Sequence, residues 1–198
     1  MKQRAINRYM RLARFVGEDD NPCYSRQIGA VITTADGGRI LGTGYNGPPP
    51  GTPHTDSVEY LKEFFWPKLT SSEVSYLIWK HNLDPIVARD AFVDIAANKG
   101  ICPRKYLACK SGQRNDLCTC GHAERHAITN AATDLNGSVM FCWCGVPCLP
   151  CADAIIQAGI KIVHCLNEGE YHAGSRWLFN KAGVEVIEHA SDEFYLPQ

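Results

Sequence analysis

Apolar positions change period several times along the chain, and each change marks an element. Ile6, Tyr9, Met10, Ala13 and Val16 recur at helical spacing over residues 3–17, and the turn-forming run Asp19, Asp20, Asn21, Pro22 ends them. Two β-rich runs follow, Ile28–Thr34 and Ile40–Tyr45, separated by Ala-Asp-Gly-Gly, which is a hairpin signal. The stretch GYNGPPPG is too rich in glycine and proline to carry the second strand further.

From Asp56 to about Lys99 strand alternation disappears. Leu61, Phe64 and Phe65, then Val74, Leu77 and Ile78, then Ile86, Val87, Phe92 and Val93 are spaced as on helices, which predicts an inserted helical subdomain. Beyond it the pattern predicts helix at 121–133, strand at 138–142, helix at 148–158, strand at 161–166, helix at 173–182 and strand at 184–187. Strands alternating with helices imply an α/β protein with a largely parallel sheet, and 198 residues suit a single domain with an insertion at about 56–99.

Composition narrows the classes. A hydrophobic fraction of 45% beside 21% charged residues is that of a globular chain, and no run approaches the roughly 20 apolar residues of a membrane span. The basic start lacks an apolar core and a small-residue cleavage site, so it reads as an amphipathic helix, and the location expected is the cytoplasm, or the host cytoplasm for a phage-encoded protein. A net charge of -1 speaks against a surface built for a phosphate backbone; a nucleic-acid partner is not expected. Ten cysteines without an export signal point to metal ligation and reduced thiols, so spacing decides which of them matter.

Chemistry concentrates at two predicted helix starts. His122-Ala123-Glu124 opens one, and Pro147-Cys148-Leu149-Pro150-Cys151 opens the next. A Cys-x-x-Cys in a first helical turn places both sulfurs on one face, where the positive helix end favours the thiolate. Two thiolates and one imidazole leave the fourth tetrahedral position open for water, the arrangement of catalytic zinc. Glu124 is set aside from the ligands and is placed to move protons. A His-x-Glu alone is common, and a lone Cys-x-x-Cys also serves redox pairs and structural zinc. In this order the two match the H-x-E…P-C-x-x-C signature of zinc nucleobase deaminases, in which activated water attacks C4 of cytosine. Cys142 and Cys144, on and after a strand, read as packed thiols. Cys102, Cys109, Cys118 and Cys120 do not make two clean metal knuckles, and His54 or His81 would have to be recruited from a distance.

On GHAERHAI (Gly121–Ile128), GVPCLPC (Gly145–Cys151), IIQAGIKIV (Ile155–Val163) and GTGYNGPPPG (Gly42–Gly51), the chain resembles the deoxycytidylate deaminases of the cytidine deaminase superfamily. SRQIGAVI (Ser25–Ile32), CPR (Cys102–Arg104) and LFNKAGVEV (Leu178–Val186) extend the resemblance to nearly everything outside 56–99. It implies a three-layer α/β/α fold with a mixed five-stranded sheet, and hydrolysis of dCMP to dUMP and ammonia, which supplies thymidylate synthesis. It also implies zinc held by His122, Cys148 and Cys151, with Glu124 as acid/base. By the same resemblance Ser25 and Arg26 bind the 5′-phosphate, Asn46 contacts sugar or base, and Tyr171 closes over the nucleotide. An arginine fork and a hydroxyl suit a phosphate, although an exposed arginine also forms plain salt bridges.

Less directly, the resemblance implies a homohexamer activated by dCTP and inhibited by dTTP. The effector would sit at Gly44, Tyr45, Asn46 and Gly47, with Mg2+ accompanying the triphosphate. The chain departs from the pattern at His126, where H-A-E-x-N has asparagine, and at Thr133, where some regulated members carry a basic residue. Rival readings are a tRNA or riboflavin-pathway deaminase, which share the zinc core, and a non-catalytic zinc-stapled scaffold. Near-neutral charge weakens the first, the lack of residues for a reductase domain weakens the second, and retention of Glu124 weakens the third.

Overall fold

The structure, a computed structural model, describes residues 1–19, 21–110, 112–169 and 173–195. In chain order it contains α1 (Gln3–Glu18), β1 (Gly29–Thr33), β2 (Ile40–Tyr45), α2 (Ser71–His81), α3 (Ala88–Ala96), α4 (Ala123–Asn130), β3 (Val139–Cys142), α5 (Leu149–Gln157), β4 (Ile162–Leu166), α6 (Ser175–Ala182) and β5 (Glu185–His189). Among the described residues no helix is long and apolar enough to cross a membrane.

Two compact units emerge. The first comprises Met1–Asn21, Gln27–Gly47 and Gly121–Gln198, and the second Pro22–Arg26 and Pro48–Cys120. The second unit contains the expected helical insertion at 56–99 and extends beyond it on both sides. Between 100 and 120 the described residues include short 3-10 turns at Pro103–Lys105 and Asn115–Leu117, which have no hydrophobic period to read.

In the first unit the sheet runs β2-β1-β3-β4-β5, antiparallel through the first three strands and parallel through the last three. This is the mixed five-stranded sheet that the resemblance implied. Alternation along the strands explains the layers. Ala30, Ile32, Met140, Cys142, Val163 and Cys165 face α4, α5 and α6 through Ala127, Ala152, Ile155 and Phe179. Val31, Val139, Phe141 and Leu166 face Tyr9, Met10 and Ala13 of α1 on the other side. Covered on both faces, β1 and β3 are buried at every position, which is why they read as continuous apolar runs. Each large aliphatic or aromatic side chain so buried contributes about 1.5–3 kcal/mol.

The second unit has a separate core of Tyr60, Leu61, Phe65, Leu77, Phe92, Val93, Ala96 and Leu117. Phe92 is its hub, 5.9 Å from Phe65 and 5.4 Å from Tyr106 between ring centroids. Thr70 and Glu73 form a reciprocal capping box that starts α2, and Asn82 in the left-handed region ends it. Side chains order the aperiodic segment: Arg104 donates to the Gln113 carbonyl at 2.9 Å and to Asn115 at 2.6 Å, and Arg114 bonds Glu73, Asp116 and the Lys68 carbonyl.

Candidate active site

Helix starts position the metal-binding groups. His122 is the N-cap of α4 and Cys148 the N-cap of α5, both with extended backbone. Cys151 lies in the first turn of α5 behind Pro150, a residue that needs no intrahelical donor there. His122 Nδ1 stands 3.3 Å from Cys148 Sγ and 3.3 Å from Cys151 Sγ. Ligands at ordinary zinc distances in a tetrahedron put nitrogen and sulfur about 3.5 Å apart, so the three groups fit zinc in both kind and spacing. Among the described residues they are the one group of three or more histidine, cysteine or acidic side chains drawn this close together. Cys148 and Cys151 are buried, while His122 is exposed and keeps the site open to solvent.

Electrostatics prepares the same groups. The hydrogen bond from Cys151 pulls Cys148 down to about 4 against burial, and His122 adds to the pull. Cys151 keeps the shared proton and is pushed up. His122 is raised, first by its bond to Cys148 and also by the nearby Glu124. Glu124, 4% exposed, is raised above the ordinary carboxylate range chiefly by burial, and it hydrogen-bonds the Cys151 thiol. A buried carboxyl beside a ligand triangle is poised to hold and release a proton.

Asn46 is buried at the end of the β2 strand, and its Oδ1 accepts from Ile28 N at 2.7 Å and from Asn21 Nδ2 at 2.8 Å. Tyr45 is exposed. Gly44 lies where α4 rests on β2, and Gly47 pairs with Gly121 as an antiparallel bridge immediately before His122. The structure thus brings the GYNG loop and the zinc ligands together within one unit. Ser25 and Arg26 belong to the second unit, where both are exposed and their backbone amides donate to the Cys23 sulfur. Tyr171 lies outside the described residues.

Cys142 and Cys144 are packed thiols, as their strand spacing indicated. In the second unit Cys120 shares hydrogen bonds with Cys118 and with Cys23, a partner that no local spacing marks. His54 is engaged instead by Asp56 at 2.7 Å and by the Pro22 carbonyl at 2.5 Å.

A mixed sheet carrying His, Cys and Cys on two successive helix starts, with a buried glutamate between them, defines a zinc-binding deaminase domain. The family described as "Cytidine and deoxycytidylate deaminase zinc-binding region" matches residues 3–167, and the chain belongs to it. Among individual relatives, the deoxycytidylate deaminase of Enterobacteria phage T4 is 30% identical over 87% of this chain and 84% of its own length. That of Schizosaccharomyces pombe is 27% identical over 93% of this chain. The chain spans only 44% of the length of that yeast relative. The dCMP deaminase of cyanophage S-TIM5, solved with dCMP and dUMP, shares the fold with a TM-score of 0.57 at 24% identity, covering 96% of this chain and 99% of that one.

Proposed function

We propose that the protein hydrolyses dCMP to dUMP and ammonia. The observation that carries this reading is the burial of Glu124 beside the His122–Cys148–Cys151 triangle, on a chain of this family. His122, Cys148 and Cys151 would hold zinc, which would supply a water of lowered pKa at neutral pH. Glu124 would take a proton from the attacking water and deliver it to N3 of cytosine as the new C4–O bond forms. The same carboxylate would then take the remaining proton from the new C4 hydroxyl and pass it to the exocyclic nitrogen as the C4–N4 bond breaks, leaving a C4 carbonyl and ammonia.

In this reading Ser25 and Arg26 bind the 5′-phosphate and Asn46 meets the sugar or base. The resemblance of the GYNG loop supports activation by dCTP and inhibition by dTTP through Gly44, Tyr45, Asn46 and Gly47, with Mg2+ on the triphosphate and a homohexameric assembly in the cytoplasm. The test is ammonia release, or loss of cytosine absorbance, with dCMP, dCTP, deoxycytidine and CMP, each with and without the triphosphates and Mg2+. Turnover of dCMP above the others supports the reading. Activity on another cytosine compound alone overturns the phosphate-binding assignment.

A further inference from the structure

We infer that His126 is a positioning residue that couples the GYNG loop to the zinc ligand His122. The inference rests on the proposed deaminase reading for its catalytic consequence, and on geometry for the coupling itself. His126 reaches both parts at once. Its backbone N–H donates to the His122 carbonyl at 3.1 Å, the first hydrogen bond of α4. Its ring Nδ1 lies 2.8 Å from the Tyr45 carbonyl. A carbonyl only accepts, so Nδ1 carries the hydrogen and the tautomer is fixed by the loop.

The other edge of the ring lies against Gly121. A Cβ at that position would stand 2.3 Å from His126 Nε2 and about 3 Å from the neighbouring ring carbons, so only glycine admits the imidazole there. Gly121 in turn exchanges both backbone bonds with Gly47, at 2.7 Å and 3.2 Å. The half-buried ring of His126 therefore closes a circuit: Tyr45 carbonyl, imidazole, Gly121, Gly47, and Asn46 between Tyr45 and Gly47. Asn46 is held from the other side by Ile28 and Asn21. What the imidazole adds is the spacing between the Asn46 loop and His122. Its link to His122 is made by the backbone and not by the ring, so loss of the imidazole should loosen nucleotide binding and leave chemistry and metal in place.

Three proteins test this: the zinc-loaded wild type, His126→Ala and His126→Asn. The asparagine amide occupies nearly the place of Nδ1 and restores a donor to the Tyr45 carbonyl. His126→Ala is expected to raise KM for dCMP about 10-fold, with kcat within about twofold and zinc content unchanged; His126→Asn is expected to recover most of the KM. Amide hydrogen exchange at Gly47 and Gly121 without nucleotide should quicken about 10-fold in His126→Ala and return toward wild type in His126→Asn. Unchanged exchange in His126→Ala, or an asparagine variant no better than alanine, overturns the inference. A wild type that exchanges as expected but does not turn over dCMP overturns the deaminase reading while leaving the coupling intact.

Discussion

Gly44 on β2 and Ala127 on α4 approach so closely that a Cβ at residue 44 would lie 2.3 Å from the Ala127 backbone nitrogen. The glycine next to Tyr45 is therefore required by a helix crossing a strand, whatever a ligand asks of it. Since α4 carries His122 at its cap and Glu124 in its first turn, Gly44→Ala should displace the catalytic helix as well as destabilise the unit, by about 1–3 kcal/mol. Chemical denaturation with parallel zinc analysis checks both effects. Wild-type stability in that variant would show that the crossing can relax.

Glu124→Gln preserves shape and removes the proposed proton carrier. Turnover of dCMP should fall by about 10²–10⁴-fold, while zinc content and melting temperature stay near wild type. Full activity in this variant would exclude Glu124 from the proposed chemistry.

Cys148→Ala removes a thiolate held at about 4 and leaves His122 with Cys151 alone. Metal analysis of the purified variant should find the zinc lost, and a chelator should lower the melting temperature of the wild type but not of the variant.

His164 and His189 form a buried pair on β4 and β5, with Nδ1 of the first 2.8 Å from Nε2 of the second. Burial, and then the neighbouring His189, hold His164 down at about 4 against an ordinary 6.5. A lowered histidine favours the neutral form in the folded state. Protonation of the unfolded chain therefore leaves stability unchanged above pH 6.5 and lowers it as pH falls toward 4, by about 3 kcal/mol. Urea titrations across that window should show a shallower pH slope for His164→Leu than for wild type. Equal slopes would place the acid sensitivity elsewhere.

Phe92 is fully buried at the centre of the second unit. Phe92→Ala should cost about 3–5 kcal/mol there. Hydrogen exchange of α2 and α3 should report the loss, with β1 and β3 protected as before.

Much of this was legible along the chain because the signals were local. The strands showed themselves through runs such as Gly29–Thr33, and the metal site through His-x-Glu and Cys-x-x-Cys at helix starts, where three or four residues fix the geometry. What could not be read depends on partners far apart in sequence. Arg104 and Arg114 order a segment with no hydrophobic period. Cys23 meets Cys120 across most of the second unit's sequence. The oxygen of Asn46, a residue proposed to meet the nucleotide, is held by Asn21 and Ile28, and nothing in the motif says so.

The bridge between Gly47 and Gly121 ties off the excursion from Pro48 to Cys120 at its root. For a closed loop, the entropy of closure rises only with the logarithm of length, about 0.6 kcal/mol for each doubling. Residues added to or removed from exposed turns of the excursion therefore cost little closure entropy, because the Gly47–Gly121 bridge fixes where the chain leaves and returns.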